Sequence, residues 1–272
     1  MEPRIYPFRI GAIDCLAVSD KAGPTMRSVD LLRPEIPAAS VEQALRELQL
    51  DPRAIPVEYT SLYLKTAGRQ VLVDTGLGPD GAPDGGRLLE HLRGAGVQAN
   101  DIDTVVISHA HGDHINGTLT AEGGLAFPRA RYVVGRREWE LSATREPVRR
   151  HFAAFGDRLQ LVDEGDEIAP GMHVVAAPGH TPGQIAVAIS SRGERLLFVA
   201  DLLHMLIQMG HPEWCTIWDA DPERAAASRR RLLGPAAAEG VLVMGSHLPW
   251  PSVGRLAARG EGWRWEAVGA AL

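Results

Sequence analysis

The sequence predicts an α/β fold, and three observations carry that prediction. Thr104, Val105, Val106 and Ile107 make a short β-branched apolar run of the kind that forms a buried strand. Similar runs at 174–179, 196–200 and 241–246 each stop at a His or Asp, namely His180, Asp201 and His247. Between such runs lie stretches of helical periodicity, as where Val41, Ala44, Leu45 and Leu48 form one apolar stripe. There is no Ser/Gly-rich linker, low-complexity tract or composition shift, so residues 1–272 are read as one domain.

Taken in order, weak alternation over 5–18 predicts a first strand. Gly23, Pro24, Pro34 and Pro37 make 19–39 an irregular extended arm. Ser40 and Gln43 fit a capping box, which starts a short helix at Ser40. Its stripe is expected on the protein's own core, with a dimer contact as the alternative. Residues 59–65 and 70–74 read as a hairpin around Ala67-Gly68, and 78–86 as a Gly/Pro/Asp loop at the site rim. A helix follows over 87–93, with His91 at the surface. Strands are expected at 131–134, 159–162 and 172–176, and helices at 138–142 and 147–155. His151 should face solvent and His173 should be exposed. A hairpin across Ser191-Arg192-Gly193 joins 184–189 to 195–200. Asp221 is the expected N-cap of a helix over 222–233, and 263–268 closes as a strand.

Composition limits the function. A net charge of −6 and a pI near 5.9 argue against a general nucleic-acid binder, which carries a basic footprint. Arg136-Arg137 and Arg229-Arg230-Arg231 are therefore read as solvated helix faces. Cys15 and Cys215 form no CxxC and are read as reduced thiols of a cytosolic protein, a disulfide remaining the alternative. The first thirty residues lack the basic head and long apolar run of a signal peptide, and no run of about 18 apolar residues could span a membrane. A cytoplasmic protein without membrane partners is expected.

The chemistry concentrates in Ser108-His109-Ala110-His111-Gly112-Asp113-His114, directly after the first buried run. His109 and His111, two apart, can reach one ion from an extended turn. Asp113 and His114 come from the next turn and can reach a second ion beside it. Imidazole nitrogen and carboxylate oxygen suit zinc and its borderline neighbours; manganese, iron or cobalt accept the same donor set. His180, Asp201 and His247 complete a dinuclear set, each delivered from a strand end, as a rigid site requires. Asp201 has two oxygens and is the natural bridge. His109, His111 and His180 are assigned to one metal, Asp113, His114 and His247 to the other, and Asp201 to both. Asp74, before Thr75-Gly76, either hydrogen-bonds the ligand loop or only shapes a turn.

Val73-Asp74-Thr75-Gly76, the HxHxDH loop at 109–114, Pro178-Gly179-His180-Thr181-Pro182-Gly183, Asp201 and His247 stand in the order of one known family. The chain resembles the metallo-β-lactamase superfamily over most of its length. That resemblance implies an αββα sandwich: two mixed sheets face to face, helices outside, metals at one edge. The last third is similar to the methyl parathion hydrolase group, with acyl-homoserine lactonases as near cousins. The carriers are Ala200-Asp201-Leu202-Leu203-His204, Gln208, His211-Pro212, Ser246-His247-Leu248-Pro249-Trp250-Pro251 and Gly260-Glu261-Gly262-Trp263. His204 stands where lactonases often carry Tyr, so a phenol-assisted mechanism does not transfer. The same group implies a homodimer through 24–39 and 41–49.

Two adjacent divalent cations supply hydroxide at neutral pH and stabilise charge developing on the electrophile, so hydrolysis without a protein nucleophile is expected. Asp113 is assigned a second role in accepting a proton. The run 202–209 leaves the metal edge and should line a cleft, with half or more of its apolar side chains in the core. Met and Trp there suit an adaptable apolar pocket. His204, three residues past a ligand, should turn its ring back to donate a hydrogen bond to substrate. With no Lys or Arg cluster to hold an anion, the expected substrates are neutral lactones, acyl-homoserine-lactone-like first, or aryl esters. Phosphotriesters are the alternative, and a non-catalytic metal-binding sensor or interaction module the second alternative.

Overall fold

The strand-forming runs assemble into two seven-stranded sheets, each ordered as the chain runs. The computed structural model describes residues 4–26, 28–79 and 86–269. The first sheet holds β1 (Ile5–Ile10), β2 (Ile13–Met26), β3 (Ile55–Thr66), β4 (Arg69–Val73), β5 (Thr104–Ile107), β6 (Arg131–Gly135) and β7 (Leu159–Val162). The second holds β8 (Glu167–Ala169), β9 (Met172–Ala176), β10 (Ile185–Ser191), β11 (Glu194–Ala200), β12 (Leu242–Gly245), β13 (Val253–Arg259) and β14 (Gly262–Ala267). Both are mixed. β1 to β4 pair antiparallel and β4 to β7 parallel. In the second sheet only β11 and β12 pair parallel. The helices are α1 (Ser28–Leu31), α2 (Ala38–Glu47), α3 (Leu88–Gly94), α4 (Gly112–Ile115), α5 (Arg136–Ser142), α6 (Val148–Phe155), α7 (Ile207–Gly210) and α8 (Pro222–Ala238).

Continuous apolar runs become central strands because both of their faces are covered. Val106 of β5 and Phe198 of β11 point between the sheets, into a layer with Leu62, Val71, Val187 and Met244. Their neighbours point outward. Val105 and Ile107 pack with Leu88, Leu92, Phe152 and Phe155 of α3 and α6. Leu197 and Val199 pack with Leu232, Leu233 and Ala236 of α8. The period-two alternation of a strand thus builds an αββα sandwich from sequence runs that look uniformly apolar.

Several local expectations change. Residues 5–18 form a tight hairpin, not one strand, and β2 continues through much of the expected irregular arm. The helix starts at Ala38 with Pro37 as N-cap and no side-chain cap, so Ser40 lies inside it. Its stripe packs on the protein's own core: Val41, Ala44 and Leu45 are buried with Leu31, Ile55, Met205 and Ile207. Asp221 caps α8 as expected, accepting from Arg224 N, but the helix runs past Gly234-Pro235 to Ala238. Burial of Leu233 and Ala236 against the second sheet outweighs the local preference to stop. The β13 strand was not expected; Gly254, under Trp265 in the sheet, disguised it. Of the rim loop at 78–86, residues 80–85 lie outside the described residues.

Three polar residues expected in solvent are buried. His91 meets Ser19 O at 2.5 Å, and His151 meets Thr118 Oγ1 at 2.8 Å. Arg229 is fully buried, whereas Arg230 and Arg231 are exposed. Helical periodicity turns Arg229 inward with Ala225, Leu232 and Leu233 of the same helix. His173 is exposed, and Cys15 and Cys215 are both buried free thiols. No helix among the described residues is long and apolar enough to cross a membrane.

Phe198 fills the layer between the sheets and is 0% exposed. Phe198→Ala is expected to cost about 3–5 kcal/mol, the range for a large cavity left in a packed core. Urea unfolding followed by circular dichroism measures it; a loss below about 1 kcal/mol would mean the layer can collapse around the gap.

Candidate metal centre

Strand direction brings the predicted residues together. β9 and β11 each pair antiparallel with β10 and so point the same way, and β12 is parallel to β11. The chain therefore leaves β9, β11 and β12 at one edge of the second sheet, towards His180, Asp201 and His247. β4 and β5 are parallel, and Asp74 and the 109–114 loop follow their ends. Two backbone hydrogen bonds join these edges: Ile185 N to Ser108 O (2.9 Å) and Thr60 N to Ser246 O (3.0 Å). A register shift in β11 between Phe198 and Ala200 precedes Asp201, and Ala200 takes a φ of 46°.

The seven predicted residues fall into two adjoining groups. In the first, His111 Nδ1 lies 2.8 Å from His180 Nε2 and 3.1 Å from His109 Nε2. In the second, His247 Nε2 lies 3.1 Å from Asp201 Oδ2 and 3.3 Å from Asp113 Oδ2. His114 Nε2 lies 3.1 Å from Asp201 Oδ1 and 3.5 Å from Asp113 Oδ2. Asp201 stands between the groups, its Oδ2 also 3.4 Å from His180 Nε2 and 3.8 Å from His109 Nε2. His204 joins them: its buried ring lies parallel to that of His247, with centroids 5.4 Å apart, and its Nε2 is 3.3 Å from Asp201 Oδ2.

Outer partners decide which nitrogen of each ring faces inward. Asp74 accepts from Ser108 N, from Ser108 Oγ and from His114 Nδ1, all at 2.8 Å. Of the two expectations for Asp74, the hydrogen-bonding role is the one the geometry bears out. Ser108 Oγ, having given its proton to Asp74, accepts from His109 Nδ1 (3.1 Å). His247 Nδ1 donates to Glu58 O (2.7 Å), and His180 Nδ1 to Asp219 Oδ1 (3.4 Å). With Nδ1 carrying the proton, a neutral ring turns the Nε2 lone pair inward.

That arrangement is short of protons. Three lone-pair nitrogens converge in the first group, and His111 has at most one proton to offer them. In the second, His114 Nε2 and Asp201 Oδ1 are buried facing each other at 3.1 Å without hydrogen-bond geometry. Buried polar atoms left so are costly, and a cation at each convergence point satisfies them. The donor set of imidazole nitrogen and carboxylate oxygen fits zinc or a similar divalent ion.

The local field has the same sense. Burial lowers the pKa of His109 and His111, neighbouring imidazoles add to it, and His111 is lowered to about 4. Burial opposes protonation of His114 and His247 as well, but Asp201 and Asp113 outweigh it. His114 is held well above the usual histidine value, and His247 is raised to about 10. Burial would raise Asp113 and Asp201, yet His114 overrides it and both stay well below the usual carboxylate range. His109 and His111 are thus kept as neutral lone pairs, while Asp113 and Asp201 draw positive charge to the other half of the centre.

Sequence reasoning missed two carboxylates. Glu138 of α5 is buried, and its Oε1 accepts from Ala110 N (2.9 Å) while its Oε2 accepts from Thr181 Oγ1 (2.7 Å). It ties the 109–114 loop to the turn carrying His180. Gly183 allows this contact, since a Cβ there would lie 2.2 Å from Glu138 N. Asp219, the second, is buried beside His180 and drew no reading from the sequence. Nothing in Arg136-Arg137-Glu138 or Trp218-Asp219-Ala220 marks either residue out from a solvated acid. Tyr59 was also passed over: its half-buried ring lies edge-on to His247, with centroids 5.4 Å apart.

Glu138→Ala strips a partner from the buried Ala110 N–H. It is expected to cost about 1–3 kcal/mol, the usual penalty for an orphaned buried donor. Chemical denaturation of the variant measures it, and a neutral result would show that the two loops hold each other without Glu138.

A model of the metallo-beta-lactamase superfamily matches residues 54–247. N-acyl homoserine lactonase AiiA of Bacillus thuringiensis subsp. kurstaki is 25% identical over 147 residues, 54% of this chain and 56% of that protein. Beta-lactamase-like protein 2 homolog of Drosophila melanogaster is 28% identical over 174 residues, 62% of this chain and 56% of that protein. The chain thus spans little more than half the length of the curated relatives it matches. AidC, a dizinc quorum-quenching lactonase solved with a product, superposes with a TM-score of 0.91 at 27% identity, covering 100% of this chain and 99% of that one. The hydrolase AbOPH superposes with a TM-score of 0.91 at 22% identity and the same coverage, a likeness of fold. With the family pattern matched across 54–247 on a sandwich of two mixed sheets, the chain belongs to the metallo-β-lactamase superfamily.

Proposed function

We propose that this protein is a metal-dependent hydrolase that opens neutral lactones, acyl-homoserine-lactone-like ones first. The observation that carries the reading is the convergence of seven side chains from two sheets on two adjoining points. His109, His111 and His180 would hold one ion, Asp113, His114 and His247 the other, and Asp201 both. Bound divalent cations lower the pKa of water and polarise a carbonyl oxygen, which supplies nucleophile and electrophile together. Zinc is the expected metal from the donor set.

The remaining roles fall to the chain's own groups. The Asp113 side chain is 22% exposed, against 3% for Asp201, so it is the carboxylate at the mouth of the centre. It is placed to take up the proton released on attack and return it to the leaving oxygen. The buried His204 ring sets Nε2 3.3 Å from Asp201 Oδ2, beside the point where a substrate oxygen or leaving group would meet the metals, and we assign its N–H to that oxygen.

The substrate class is argued from the cleft. A small apolar recess adjoins His204 and His247, lined besides by Leu45, Leu50, Ile55, Met205, Leu206 and Pro249. Among the described residues, no Lys or Arg lines it. Such a wall suits an apolar acyl group beside a neutral ester rather than an anion. Trp218, 39% exposed with its ring centroid 5.5 Å from that of His204, extends the apolar surface to the rim. The lactonase names of two relatives support the same class.

Purified protein should hold roughly two metal ions per chain by elemental analysis, and chelation should abolish turnover. His109→Ala or His180→Ala should lower occupancy of one position, His114→Ala or His247→Ala of the other, and Asp201→Ala of both. Full activity of the metal-free protein would sink the reading. In a panel of lactones, aryl esters and phosphotriesters, kcat/KM should be highest for lactones; turnover of phosphotriesters alone would reassign the substrate. His204→Ala should keep its metals and lose about 10²-fold in kcat/KM, the scale of a lost hydrogen-bonding or acid–base group. Loss of a metal ion from that variant would make His204 a ligand instead, and unchanged turnover would remove it from the mechanism.

A further inference from the structure

We infer that Asp219, clamped by Arg229, is a positioning residue for His180, and that the same arginine sets the cleft wall that carries His204. The inference rests on the reading that His180 holds a metal ion. Asp219 is 2% exposed and splits its two oxygens. Oδ1 is the acceptor for His180 Nδ1, while Oδ2 accepts from Arg229 Nη2 (2.9 Å) and Thr216 N (2.8 Å). With Oδ2 held twice, the carboxylate cannot turn, and Oδ1 stays facing the ring. The backbone adds two ties between the loops, Ala220 N to His180 O (3.1 Å) and Asp221 N to Gly179 O (2.9 Å).

Arg229 spends its other donors on the wall. Nε donates to Leu202 O (2.7 Å), the residue after Asp201. Nη1 donates to Pro212 O (3.0 Å), Trp214 O (3.1 Å) and Cys215 Sγ (3.3 Å). A fully buried guanidinium is tolerable only with its charge paired and its donors used, and both hold here. Gln208 completes the frame, its Oε1 accepting from His204 N (2.7 Å) and its Nε2 donating to Trp214 O (3.0 Å). One ion pair thus holds a ligand ring on one side and the segment from Leu202 to Cys215 on the other.

An amide at 219 can offer its N–H to His180 Nδ1. That moves the ring proton to Nε2 and takes away the lone pair a metal needs. In the full-length chain, competition with a chromophoric chelator should show zinc binding at the His109/His111/His180 position weakened about 10–100-fold in Asp219→Asn. The other position should shift by no more than about twofold. His180→Ala should weaken the same position, and Asp219→Asn should add little on top of it, because the two act through one contact. Equal weakening of both positions, or full additivity, would reduce Asp219 to a general structural role and overturn the inference. Nitrogen–proton correlation spectra of the zinc-loaded wild type give a check that does not depend on the variant folding. They should show the His180 proton on Nδ1; a proton on Nε2 overturns the inference. Failure of the wild type to bind zinc would remove the metal reading and this inference together, whereas two-site binding with an unsplit loss in Asp219→Asn removes this inference alone.

Discussion

A single buried carboxylate surrounded by imidazoles governs the centre. Asp201 is 3% exposed and has the Nε2 atoms of His109, His114, His180, His204 and His247 within 3.8 Å. A lone ionised carboxylate at that depth would cost more than the fold could spare, so positive charge has to be close by. The rings that face it cannot all provide that charge as protons, because burial and the neighbouring imidazoles work against protonating His109 even where the carboxylates favour it at His114 and His247. Divalent ions would resolve the conflict with one charge source for several donors.

This constraint reaches far from the centre. Each ring that faces Asp201 with a fixed nitrogen is held from behind by a different element: Asp74 after β4, Ser108 after β5, Glu58 O in β3, and Asp219 before α8. Glu138 links two of the loops from α5. The sandwich therefore acts as a frame in which strand direction sets where the chain emerges, and a ring of acceptors sets how each imidazole is turned. The backbone bonds Ile185 N to Ser108 O and Thr60 N to Ser246 O keep the two sheet edges from separating at this point.

The cleft wall depends on the same frame. Met205 and Ile207 belong to the core under α2, whereas His204 faces the carboxylate. The stretch after β11 is thus half core and half site, and Gln208 joins the two, its Oε1 accepting from both His204 N and Met205 N.

Much of this was legible in the chain. The apolar runs ending in His109, His180, Asp201 and His247 predicted strands with polar residues at their ends, and the spacing of His109, His111, Asp113 and His114 predicted two neighbouring points of convergence. Those signals are local: β-branched composition and side-chain direction along a few residues fix them. The sequence by itself determined which side chains could meet and what chemistry their atoms allow. Only the tertiary structure decided what stands behind them. Glu138, Asp219 and Arg229 carry the same side chains as any solvated helix or loop charge, and His91 and His151 resemble surface histidines until a backbone carbonyl or hydroxyl from a distant segment reaches them. Burial and partnership are properties of packing between residues far apart in the chain, so no local pattern records them.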